Sequence, residues 1–95
     1  MNNFSIQKTP KNIAKEIAAK FKKLRKQTKL SRKELAERSG VSESSIKRFE
    51  TTGQIAFVSL LKVSQTIERI DDFGTIFLIN DSESVIDLFS DKMKL

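Results

Sequence analysis

Between residues 30 and 50 the chain reads Leu-Ser-Arg-Lys-Glu-Leu-Ala-Glu-Arg-Ser-Gly-Val-Ser-Glu-Ser-Ser-Ile-Lys-Arg-Phe-Glu, two helix starts parted by one glycine. Few folds accommodate that pattern. Ser31 and Glu34 have the spacing of a capping box, in which the serine oxygen takes a free N-terminal N–H and the glutamate returns to the serine backbone. Leu35 and Ala36, with Leu30 just before the cap, give this first helix an apolar side. Gly40 stops it, because glycine adopts a left-handed backbone without a Cβ penalty. Val41 then turns inward and Ser42 caps a second helix whose Ile46 and Phe49, three apart, face the core. Glu43, Ser44, Ser45, Lys47 and Arg48 are left on its outer surface.

Two short helices joined at a glycine form a helix-turn-helix unit, whose second helix fits the major groove of DNA. The Leu30-Ser31 opening, Leu35-Ala36, Gly40-Val41-Ser42, Ile46 and the Arg48-Phe49-Glu50 ending resemble the helix-turn-helix domain of the phage repressor and Cro type. The resemblance runs to about Phe77. Within that family, Arg48-Phe49-Glu50-Thr51-Thr52-Gly53, Ser59-Leu60-Leu61 and Ile70-Asp71-Asp72-Phe73 resemble the HipB-like antitoxins encoded beside HipA-like kinase toxins. The implied fold is all-α: a five-helix, lambda repressor-like domain over residues 10–77, with an arm at 1–9 and an extension at 78–95.

Charge is distributed unevenly. Residues 1–50 carry 14 Lys or Arg against 5 Asp or Glu, a balance of +9, and residues 51–95 carry 4 against 7, a balance of −3. A basic first half that contains the paired helices suits a phosphate-facing surface, although lysine is also a common solvent-facing helix residue. The chain has no cysteine and no histidine, which excludes disulfides, thiolate or imidazole metal sites and imidazole catalysis. No apolar run approaches the roughly 20 residues that span a bilayer, and Met1-Asn2-Asn3 opens no signal peptide. A cytoplasmic protein with no membrane contact is the expectation.

Around the central stretch, residues 1–9 read as a loose arm or, with Phe4 and Ile6 alternating, as a strand that pairs with its copy. Thr9 and Pro10 suit the start of a helix. Ile13, Ile17, Phe21 and Leu24, with Ala14 and Ala18, then form one apolar stripe ending near Gln27 or Thr28. Lys11, Lys15, Lys20, Lys22, Lys23, Arg25, Lys26 and Lys29 fall on the other sides, as a phosphate-attracting row or a solvated face. Thr51 to Gln54 is a turn in which Gly53 takes a positive φ. A fourth helix begins near Ala56 and runs to about Thr66, with Phe57, Leu60, Leu61, Val63 and Ser64 as its stripe. A fifth covers Ile70 to Phe77, Asp71 and Asp72 in its first turn, with Ile70, Phe73, Ile76 and Phe77 packing or pairing. The row Ile76-Phe77-Leu78-Ile79 also suits a strand. Beyond it, Val85, Ile86, Leu88 and Phe89 either close the core or make a dimer or partner surface.

Base-reading positions in this class, carried onto the chain, are Glu43, Ser44, Lys47 and Arg48, with Ser45 beside them. Lys47 and Arg48 can donate to guanine O6 and N7, and Glu43 can accept from a cytosine amino group. Alternatives stand for two of them: Arg48 pairing with Glu50 or a phosphate, and Glu43 supporting its helix N-terminus. Arg32 occupies a position where the family often has glutamine, and arginine cannot accept a hydrogen bond. Arg32 and Lys33 are read as phosphate clamps, with Ser31, Ser42, Ser45 and Thr51 as further backbone contacts.

Catalysis is not supported by the residue inventory, and no cofactor is implied. Asp81, Glu83 and Asp87 are the carboxylates whose spacing leaves Mg²⁺ open, with no further sign of a metal site. The resemblance implies a homodimer on a palindromic operator, acting as a repressor and as the antitoxin of a HipA-like kinase. Two other readings remain: a repressor without a toxin, and a protein-interaction module on the same scaffold.

Overall fold

The computed structural model describes residues 8–79. The first three helices each start where a side-chain oxygen accepts a free backbone N–H. In α1 (Pro10–Gln27) the Asn12 N–H donates to Thr9 Oγ1 at 3.1 Å, and Pro10 sits in the first turn, where a missing N–H is harmless. At its other end the Thr28 hydroxyl donates to the Arg25 carbonyl at 2.6 Å, and Lys29 takes a left-handed φ of 62° that turns the chain. Both halves of the capping box form at α2 (Arg32–Ser39): Glu34 N–H to Ser31 Oγ at 3.0 Å and Ser31 N–H to Glu34 Oε1 at 2.8 Å. Gly40, φ 79°, closes α2; Ser42 caps α3 (Glu43–Thr52); Gly53, φ 85°, closes it. The last α-helix among the described residues is α4 (Phe57–Thr66), which Ala56 precedes without a side-chain cap.

Each of the four α-helices contributes to the core. Ala18 and Phe21 of α1, Leu30, Leu35 of α2, Val41, Ile46 and Phe49 of α3, Val63 of α4 and Ile67 are buried together. Phe21 and Phe49 meet edge to face, centroids 5.4 Å apart at 64°. α1 packs on α3, and α2 packs on both α3 and α4. Each fully buried Leu, Ile or Phe contributes about 1.5–3 kcal/mol relative to exposure, enough in sum to fix the position of α3.

Gly53 also fits where nothing larger would. A Cβ there would lie 2.9 Å from the backbone carbon of Ala14 and 3.0 Å from its Cβ, whereas one at Gly40 would meet nothing within 4 Å. Gly40→Ala is therefore expected to cost only the left-handed penalty of about 1–2 kcal/mol. Gly53→Ala adds the displacement of α1 and should cost about 2–4 kcal/mol. Paired thermal melts test this, and equal losses would remove the role given to the Ala14 contact.

The structure corrects four expectations. The stripe of α1 is not wholly covered: Ile13 and Ile17 are exposed, because α1 rests on α3, and Ile17 borders an open apolar groove with Leu60, Ile67, Phe73 and Ile76. Phe57 does not join the core. It is 60% exposed and packs edge to face with Phe73, centroids 6.2 Å apart. The fifth helix is a 3-10 helix confined to Ile70–Thr75 with no buried residue. Phe77 follows it at a left-handed φ of 56° and is 93% exposed, so residues 76–79 form neither a longer helix nor a strand. The readings of residues 1–7, of Val85, Ile86, Leu88 and Phe89, and of Asp81, Glu83 and Asp87 as Mg²⁺ ligands lie outside the described residues.

Candidate nucleic-acid interface

The helical period splits α3 into two faces. Ile46 and Phe49 point into the core, and Glu43, Ser44, Lys47 and Arg48 lie together on the exposed side, three and four residues apart. Among the described residues neither Glu43 nor Lys47 has an ion-pair partner. The guanidinium of Arg48 donates through Nη2 to Gln54 Oε1 at 2.5 Å. At the N-terminus of α3 the hydroxyls converge: Ser42 Oγ accepts from the Ser45 N–H at 3.1 Å, donates to Ser45 Oγ at 2.7 Å and lies 3.3 Å from Ser44 Oγ. At the C-terminal end Thr51 and Thr52 donate to the carbonyls of Lys47 and Arg48 at 2.8 and 2.7 Å. Ser31 and Lys33 are exposed at the N-terminal end of α2.

Beneath this surface lies an ion network absent from the expectations. The Glu50 side chain is wholly inaccessible and receives two arginines. Arg25 donates through Nε at 2.6 Å and Nη2 at 2.9 Å, and gives Nη1 to the Leu30 carbonyl at 2.8 Å. Arg32 adds its Nε to Glu50 Oε1 at 2.9 Å. Burial, the largest single influence, opposes the ionised carboxylate. The hydrogen bonds and charges of Arg25 and Arg32 together outweigh it and hold Glu50 below the ordinary glutamate value of 4.5. Glu34 is also lowered, by the Ser31 backbone N–H first and its hydroxyl second.

Arg25 therefore leaves the phosphate-attracting row to which its sequence neighbours assign it. A signal for this was available: Ala14, Ala18, Phe21 and Arg25 share one helical face, and that face is the one against α3. Glu50 is likewise unavailable to Arg48, since residues two apart on a helix do not face one another. Arg32 is half-buried, and its Nε is committed to Glu50; its two terminal nitrogens remain for a phosphate. Gln54, which holds Arg48, was not anticipated.

Among the described residues no helix is long and apolar enough to cross a membrane, and no three His, Cys, Asp or Glu side chains converge as metal ligands. Comparisons with curated proteins and with solved structures gave no match. A family model described as a helix-turn-helix domain matches residues 16–73, more than half of the chain and the span holding α2, α3 and α4. With its capped α2, glycine turn and half-exposed α3, the chain belongs to the helix-turn-helix domain family.

Proposed function

We propose that this protein binds double-stranded DNA sequence-specifically as a homodimer and represses transcription, with α3 in the major groove. The observation that carries this reading is the outer face of α3: Glu43, Ser44, Lys47 and Arg48, small, polar and without apolar anchors, above a rigid apolar underside. A protein-docking face of that size would instead present aromatic or Met side chains. Ser31, Arg32, Lys33, Ser42 and Ser45 flank the face and serve the phosphates, while Thr51 borders them with its hydroxyl given to the Lys47 carbonyl. A dimer would set two such helices roughly 34–36 Å apart along the duplex, one helical turn. The exposed run Ile76, Phe77, Leu78 and Ile79 supplies apolar surface for pairing.

The likeness to HipB-like antitoxins makes a HipA-like kinase the partner we favour, with the chain repressing its own operon and the acidic second half as the docking side. One experiment tests the DNA reading: titration of the full chain onto the duplex upstream of its own gene and onto random DNA, with the mass of the complex determined. Two chains per site and a preference over random DNA that survives moderate salt support it. Absence of DNA binding at moderate salt returns the scaffold to a protein-interaction role.

A further inference from the structure

α1 begins beside the end of α3. Gly53, pressed against Ala14, brings the first turns of α1 onto the residues that follow the base-reading face. Lys11, Lys15, Thr51, Thr52 and Gln54 with Pro10 and Ala14 line a cleft there, open to solvent and, among the described residues, without a carboxylate. Lys11 and Lys15 are four apart and share one side of the helix. Neither has an ion-pair partner among the described residues, unlike Lys20, which pairs with Glu16 at 3.1 Å. The orientation of Gln54 is settled by its neighbour. A guanidinium can only donate, so the atom facing Arg48 Nη2 is the amide oxygen, and the amide NH₂ has no partner among the described residues. The threonine hydroxyls are already spent on the carbonyls of α3. The cleft thus offers two ammonium groups and one amide NH₂, all donors.

Resting on the DNA-binding reading above, we propose that this cleft between the start of α1 and the end of α3 is a second phosphate site. It takes a backbone phosphate beyond the base pairs read by Lys47 and Arg48. The helix-turn-helix unit alone does not contain it, since both lysines come from α1. Because Gln54 touches Arg48 as well as the cleft, the anchored phosphate and the base-reading arginine are in register through one side chain.

The test is a salt series on the full chain with the duplex upstream of its own gene and with random DNA, comparing wild type, a Lys11→Ala, Lys15→Ala double variant and a Lys20→Ala, Lys23→Ala double variant. The first pair should lower the slope of log affinity against log salt by about 0.9, the value of one lost phosphate contact. It should weaken both DNAs equally and leave the preference between them intact. The second pair removes the same charge from elsewhere on α1 and should move the slope by less than half as much. Equal slopes for the two variants would overturn the site in favour of diffuse attraction. An unchanged slope in the first variant, with wild type still binding, would overturn it too. Failure of wild type to bind either DNA would instead sink the underlying DNA reading. All four lysines are exposed, so melting temperatures should stay within a few degrees of wild type.

Discussion

Glu50→Ala is expected to remove about 3–5 kcal/mol of folding stability, because it strands one buried arginine and one half-buried one without their shared carboxylate. Against the roughly 5–15 kcal/mol that holds a small domain together, this is the largest single-residue effect the structure predicts. Arg25 has further to fall than Arg32: its side chain retains 7% of its accessible surface, whereas that of Arg32 retains 29%. Arg32→Ala should accordingly cost less than Arg25→Ala. Replacing Arg25 and Glu50 together with Met and Leu should recover much of the loss, since burying an ion pair gains little over well-packed apolar groups. Urea unfolding measures all four, and a Glu50→Ala loss below about 1 kcal/mol would show that water reaches the two guanidiniums.

The same network has a pH signature of defined sign. The folded-state value of Glu50 lies below its unfolded one, so its contribution is complete above the unfolded value near 4.5 and fades as pH falls through the folded value. Glu34 titrates in the same direction. Acid unfolding of the wild type should therefore set in below pH 4.5, with Glu50→Gln weaker at neutral pH and flatter across that window. A variant that keeps the wild-type acid dependence would place the sensitive carboxylate elsewhere.

The second large effect concerns recognition. Lys47→Ala together with Arg48→Ala should leave the fold intact, since both are exposed and neither touches the core. A well-formed base contact is worth about 1–3 kcal/mol of discrimination, so losing two should cut the preference for the upstream site over random DNA at least about thirtyfold. Affinity for random DNA should fall far less. Competition titrations at one fixed salt concentration separate these outcomes. Uniform weakening on every sequence would reassign both residues to the phosphates. Gln54→Ala offers a milder companion: it releases Arg48 without removing it, so preference should soften rather than vanish.

Much of the fold could be read directly from the chain because its signals are local. Thr9, Ser31 with Glu34, and Ser42 each act on an N–H three residues away, and Gly40 and Gly53 each satisfy a backbone angle at their own position. What escaped depends on partners distant in sequence. Arg25 looks like one more cation in a lysine-rich helix until Glu50, 25 residues on, is placed beneath it. The coverage of Ile17 and Phe57 depended on whether α1 and α4 would meet, which no spacing within either helix reveals. The segment after Arg69 was misjudged for a different reason: charge in its first turn favours a helix start, but with no buried side chain nothing tertiary prolongs it past Thr75. In the candidate site the residues exposed on α3 were apparent from helical period alone, whereas the Arg48–Gln54 link crosses the turn at Gly53 and was not.

The close approach of Gly53 to Ala14 has a bearing on how the domain opens. α1 is fastened to α3 at two separated points, by backbone contact near its start and by the Arg25–Glu50 pair near its end. A helix held that way cannot peel from one terminus, so the amides between the two fastenings should exchange with solvent only when the whole domain unfolds. The 3-10 helix, with no buried residue to retain it, is free to open alone and often. Among the described residues, thermal breathing is thus directed away from the face formed by α3 and toward the exposed apolar run at residues 76–79.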